Sequence, residues 1–188
     1  MNVYAVFDLD DTLLNLHVPL INMLNQRTGR DRCPKTVETF TLEEDYGIDQ
    51  PTFFKWAEES MVLESGIIHD GAVDLFKTLR EQDTRIAIVT ARGWHPKALQ
   101  VTEDWLHLNN LVPDELHIVS MQCNKNNSTT HMKKVRLAVD DREHHVFHFS
   151  KLTKNAFLYR QGWNKHATDH RHIDNLTQLN NSIIQGEI

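Results

Sequence analysis

Three carboxylates, Asp8, Asp10 and Asp11, stand within four residues of one another, directly after the apolar run Val3-Tyr4-Ala5-Val6-Phe7. The run is short and β-prone, which predicts a buried strand. Clustered like charges at the end of such a strand are costly, because each carboxylate resists losing water and repels its neighbours. A cation is therefore expected among them, and hard, oxygen-preferring Mg2+ suits these donors. A polar turn would explain Asp11-Thr12 alone, but not a hydrophobic strand running into Asp-x-Asp-x-Thr. Two further polar stops follow apolar runs: Thr90 after Arg85-Ile86-Ala87-Ile88-Val89, and Asp140-Asp141 after Val135 to Val139.

The elements that must carry these residues can be read from periodicity. Leu16, Leu20, Met23 and Leu24 recur at helical spacing up to Gly29, a plausible stop. A second helix is expected within 36–46, ended by Gly47. Asp49-Gln50-Pro51 starts a third, populated by Phe53, Phe54, Trp56, Ala57, Met61 and Val62. His69-Asp70-Gly71 precedes an amphipathic helix with Asp70 as its expected N-cap. Pro96 opens another, whose Ala98, Leu99, Val101, Thr102, Trp105, Leu106 and Leu108 suggest a broad buried face. Glu115–Ser120, Val135–Val139 and Ala156–Tyr159 read as further strands, with a helix at 142–149 and a last one at 174–184.

Strand and helix alternate from residue 70 onward. The expected fold is therefore α/β, a Rossmann-like parallel sheet with helices on both faces. A small all-helical cap, residues 14–67, interrupts a core of residues 1–13 and 68–188. In such sheets ligands bind at the carboxyl ends of the strands. Asp8 and Asp10, Thr90, and Asp140 with Asp141 should all meet there.

In type, order and strand position these three clusters resemble motifs one, two and four of the haloacid dehalogenase (HAD) superfamily of phosphohydrolases. The resemblance covers the core; the insertion matches by position only. It implies that Asp8 is a nucleophile forming an aspartyl-phosphate. Asp10 would protonate the leaving oxygen and then deprotonate water. Thr90 would hydrogen-bond a phosphoryl oxygen. Asp8, the carbonyl of Asp10, and Asp140 or Asp141 would hold Mg2+. The residue types suit that chemistry, since a phosphate dianion repels an attacking carboxylate and the site must cancel that charge.

The family also uses a lysine, for which Lys125, Lys133 and Lys134 are available. Lys133 and Lys134 enter the fourth strand at its amino end, roughly 20 Å from Asp140 at ~3.3 Å per residue. Lys125 follows the third strand on the active side and is the expected one, although the connection after it is shorter than is usual in the family. Arg92 could touch the substrate phosphate or pair with an acid. Most of the insertion's aromatics should form its core, while Phe53, Phe54 or Trp56 are available to stack on a base.

An insertion between motifs one and two suits a cap that closes over a small substrate. The nearest resemblances are to 5'(3')-deoxyribonucleotidases, through the helical insertion, the short lysine-bearing link and Trp163-Asn164-Lys165-His166, and to the 3'-phosphatase domain of phage polynucleotide kinase-phosphatases, through Met121-Gln122-Cys123 and the Asp140-Asp141 strand. Both imply phosphorylated nucleotides, with a (deoxy)nucleoside monophosphate favoured over a polynucleotide 3' end or a non-nucleotide metabolite. There is no Gly-x-x-x-x-Gly-Lys-Ser/Thr loop for a kinase.

Composition sets the remaining bounds. At 188 residues, 40% hydrophobic and 24% charged, the chain suits one core domain with a modest insertion. A net charge of -6 disfavours broad nucleic-acid binding. No apolar run nears the ~20 residues of a membrane span. Two cysteines and no leader pattern suggest a reducing cytosol. His144-His145-x-x-His148 and His166-x-x-x-His170-x-His172 have ligand-like spacing, but no cysteine pair accompanies them, and a zinc site there is not the favoured reading. His166 or His170 could instead line the mouth of the active site.

Overall fold

The strand that carries the first acids, β1 (Val3–Phe7), lies in the middle of a parallel sheet. The structure, a computed structural model, describes residues 2–123 and 125–188. Among these, six parallel strands run in the order β5-β4-β1-β6-β7-β8, with β4 Thr84–Thr90, β5 Glu115–Ile118, β6 Val135–Asp140, β7 Ala156–Tyr159 and β8 Arg171–Ile173. The sheet is therefore one strand wider than the sequence suggested. A two-residue antiparallel ribbon, β2 (Leu14–Asn15) and β3 (Ile67–Ile68), flanks the insertion.

Between the ribbon strands lie α1 (His17–Thr28), α2 (Leu42–Tyr46) and α3 (Gln50–Glu59). Gly29, at φ 70°, closes α1 in a left-handed conformation that side-chain-bearing residues resist. Asp49 caps α3 through Thr52 N–H at 2.8 Å. This helix ends earlier than its apolar pattern suggested: Met61 sits at φ 50°, and Val62 is buried outside the helix. The remaining helices are α4 (Ala72–Glu81), α5 (Ala98–Leu108), α6 (Glu143–Phe149) and α7 (Leu176–Ile184). The N-cap of α4 is Gly71 at φ 84° rather than Asp70. Leu99 and Leu108 are exposed, so the buried face of α5 is narrower than expected.

Alternation along β1 splits the core into two layers. Ala5 and Phe7 join a large cluster with Leu75, Phe76 and Leu79 of α4, Trp105 of α5 and Leu179 of α7. Tyr4 and Val6 face a smaller cluster with Met132, Val146 and Phe149. Leu14, Leu24, Phe53 and Ala57 of the insertion belong to the large cluster, so the insertion packs against the sheet layer by continuous apolar contact. β1 pairs with β4 through Phe7 and Ile88 and with β6 through Phe7 and Val139. That register brings Asp8, Thr90 and Asp140 to one end of the sheet.

Candidate active site

Lys125 lies between two of the strand-end acids. It opens a 3-10 turn, Lys125–Thr129. Its Nζ is 2.8 Å from Asp8 Oδ1 and 2.8 Å from Asp140 Oδ2, and its side chain is only 2% exposed. Burial pushes the ammonium down, but Asp140 and Asp8 outweigh that and raise it above lysine's ordinary value. Lys133 and Lys134 are exposed at the opposite end of β6.

The neighbouring acids Asp140 and Asp141 have opposite environments. Burial favours neutral Asp140, but Lys125 and His145 hold its carboxyl well below the usual carboxylate range. Its Oδ1 accepts from Arg142 N–H at 2.9 Å and lies 3.1 Å from His145 Nδ1. Asp141 is pushed well above the usual range, first by burial and then by the charges of Asp140, Asp8 and Asp11. Trp163 Nε1 donates to its Oδ2 at 3.0 Å. Asp8 is raised to about 6, chiefly by burial, which Lys125 opposes and Asp140 and Asp10 reinforce. Ligand oxygens of Asp8, Asp140 and Asp141 lie within 4.8 Å of one another. This all-oxygen set of buried carboxylates fits a hard divalent ion such as Mg2+. Asp141 faces the cavity described below, whereas both oxygens of Asp140 are engaged by Lys125, Arg142 and His145.

Arg92 is turned inward, onto Asp10. It is fully buried, with Nε 3.1 and 3.0 Å from the two oxygens of Asp10, Nη2 2.5 Å from Asp10 Oδ1, and Nη1 donating to Thr102 at 3.1 Å. The desolvated guanidinium finds its counter-charge inside the protein, which is the acid pairing that the sequence offered as one of two roles for Arg92. Thr90 is also buried and donates to Asp10 Oδ2 at 3.3 Å. The turn after Arg92 is drawn close to the exit of β5. Gly93 N–H donates to Val119 O at 2.9 Å, and a Cβ at Gly93 would stand 2.8 Å from that oxygen.

These groups open into a cavity of about 240 Å³. Its floor holds Asp8, Asp10, Asp11, Lys125 and Asp141; the insertion supplies Leu16, His17, Phe40, Phe53 and Phe54. Trp94, just past Arg92, stacks on Phe54 with ring centroids 4.7 Å apart. Trp56 is not on this wall; Arg27 lies over its ring at 5.7 Å. His166 and His170 do not line the cavity either; His17, His144 and His145 do.

His17 escaped the sequence reading, and Asp11 entered it only as one of the clustered acids. Asp11 adopts φ 57°, and its Oδ1 accepts the backbone N–H groups of Leu16 and His17. His17 Nδ1 lies 2.7 Å from Asp11 Oδ2 and its Nε2 3.2 Å from Thr39 O. Both partners are acceptors, so the ring is served best as an imidazolium. Burial pushes it down, but Asp11 and Thr39 prevail and raise it above 6.5. His17 stacks on Trp163 at 4.1 Å, while Arg142 lies 3.5 Å over the Phe40 ring. Gln161 Nε2 donates to Asp11 O, and Asn164 Nδ2 to Asp141 O. The sequence signal was the polar run after β7, whose side-chain donors sit on and around one 3-10 turn, Gly162–Asn164.

No protein-family model matches the sequence, and no curated protein matches it. Solved structures do match in three dimensions. A predicted phosphatase from Clostridium acetobutylicum aligns with a TM-score of 0.72 at 15% identity, over 98% of this chain and 99% of that one. A HAD-superfamily hydrolase, subfamily IA, from Geobacter sulfurreducens aligns at 0.58, 13% identity, 98% and 95% coverage. A HAD-superfamily hydrolase from Ehrlichia chaffeensis aligns at 0.54, 17% identity, 97% and 96% coverage. The fold is that of the HAD superfamily. In the HAD fold as it occurs here, the carboxyl edge of the sheet holds all the strand-end acids, and the insertion roofs them. Among the described residues, no helix is long and apolar enough to cross a membrane.

Proposed function

We propose that the protein is a Mg2+-dependent phosphomonoesterase working through a phosphorylated Asp8, with a (deoxy)nucleoside monophosphate as substrate. The observation that carries this is the position of Asp8: its Oδ1 is gripped by Lys125 at 2.8 Å on the floor of a roofed cavity, with Asp10 two residues on.

Asp8 attacks phosphorus, and the bond from phosphorus to the ester oxygen breaks. Asp10 delivers a proton to that leaving oxygen. Asp10 then takes a proton from water, which attacks the aspartyl-phosphate, releasing phosphate and restoring Asp8. Lys125 offsets negative charge on the nucleophile and the transferring group. Arg92 and Thr90 act through Asp10, which they hold at the cavity wall. Asp8, the carbonyl of Asp10, and Asp141 would hold Mg2+, which supplies positive charge against the phosphate and the clustered carboxylates. Asp140 would position Lys125 instead of binding the ion directly.

Residues 14–67 act as a cap on a core of 1–13 and 68–188, excluding water and long polymers. Phe53, Phe54 and Trp94 give a base an apolar, aromatic wall. Cys33 and Cys123 are free and exposed thiols, which suits a reducing, cytoplasmic setting.

Phosphate release with Mg2+ should be measured across ribo- and deoxynucleoside 5'- and 3'-monophosphates and a 3'-phosphorylated oligonucleotide. Release from the monomers, abolished by Asp8→Asn, is expected. Preferential release from the oligonucleotide would overturn the small-substrate reading, and release that survives Asp8→Asn would overturn the mechanism.

A further inference from the structure

Outside the cavity, three side chains converge that the chemistry above leaves unused. Glu115 and His117 stand two apart on the edge strand β5, so they share one face. His131 reaches them from the segment between the Lys125 turn and β6. Its Nε2 is 2.8 Å from Glu115 Oε2, and His117 Nε2 is 3.2 Å from the same oxygen. One ligand atom from each of the three can be drawn within a 4.8 Å span. Tetrahedral zinc with ~2.1 Å bonds separates its ligand atoms by about 3.4 Å, so small shifts bring this trio to bonding positions.

Three features go beyond proximity. Two imidazole nitrogens and one carboxylate oxygen form a donor set that suits a borderline transition metal better than Mg2+. Glu115 is oriented from behind: Tyr4 Oη donates to its Oε1 at 2.8 Å, and Arg85 Nη2 lies 3.6 Å from the same atom, leaving Oε2 to the histidines. Side-chain exposure rises from 20% at Glu115 to 29% at His117 and 49% at His131, so a fourth position lies open to water.

We propose that Glu115, His117 and His131 bind a zinc-class divalent ion, and that this ion ties the connection bearing Lys125 to the edge strand. Lys125 precedes His131 by six residues and sits in a stretch with no strand or α-helix of its own. An ion at His131 would therefore fix the far end of the segment that delivers Lys125 to Asp8.

Calorimetric titration of the full chain with Zn2+, in saturating Mg2+, tests this beside His131→Ala and Asp141→Asn. One zinc should bind the wild type and Asp141→Asn alike, with affinity at least about tenfold weaker in His131→Ala. Zinc should also raise the wild-type Tm by about 3 °C over its value in EDTA, and not that of His131→Ala. His131 is half-exposed, so the two proteins should melt together in EDTA. Zinc binding that survives His131→Ala, or vanishes in Asp141→Asn, or is absent from the wild type at micromolar concentrations, would overturn the proposal.

Discussion

Two clusters in this molecule can hold a cation, and they differ in almost every respect. Asp8, Asp140 and Asp141 are buried, all-oxygen, and built where strands end at the middle of the sheet. Glu115, His117 and His131 are partly exposed, rich in nitrogen, and placed on the flank of the edge strand. The first concentrates negative charge that Lys125 and His145 offset at Asp140 while burial and its neighbours push Asp141 upward, an imbalance of the kind found at reactive sites. The second satisfies its carboxylate locally through Tyr4, Arg85 and two imidazoles, so an ion there would add order more than reactivity. The difference teaches that donor type and burial, more than proximity, set which ion a cluster suits and what that ion could do there.

The sharpest separation should come from Asp8→Asn. Phosphate release should fall by about 10³-fold or more, with zinc stoichiometry by calorimetry unchanged. Next is Lys125→Met. It leaves Asp8 and Asp140 facing each other without their shared cation, and urea denaturation should show a loss of about 3–5 kcal/mol. Excess Mg2+ should restore part of that loss, while Zn2+ in the presence of EDTA-treated Mg2+-free protein should restore less.

A smaller effect is expected from Trp163→Phe, which removes the indole N–H from Asp141 but keeps the ring on His17. Mg2+ affinity, measured by the Mg2+ dependence of turnover, should weaken by about tenfold, with zinc affinity unaltered. The smallest concerns His17. Its folded-state pKa is raised, so its stabilising contribution is whole below the ordinary value of 6.5 and is lost as pH climbs through the raised one. His17→Gln should therefore cost about 1 kcal/mol near pH 6 and less near pH 9, by denaturation at the two pH values.

The strand-end acids were legible because each follows a contiguous apolar run, and local pattern is enough to place a strand's end. Lys125 was legible for a similar reason, since strand direction alone puts Lys133 and Lys134 at the other end of the sheet. Arg92 was legible only as a choice between phosphate and an acid, because its pairing with Asp10 spans 82 residues of chain and depends on burial that no local pattern encodes. β8 carries a single buried residue, Ile173, so it offered no apolar run to read. The histidines show the same limit. Spacing drew attention to His144, His145 and His148 and to His166, His170 and His172, yet the two that share one carboxylate oxygen are His117 and His131, fourteen positions apart and joined by the fold.

Trp163 has a consequence for movement. One face of its ring carries His17 of the insertion, and its edge hydrogen is committed to Asp141 of the core. The ring cannot accompany His17 outward without releasing Asp141, nor stay with Asp141 without parting from His17. Were the insertion to move away from the sheet, one of the two grips would be surrendered, so the indole couples the position of the insertion to the aim of Asp141.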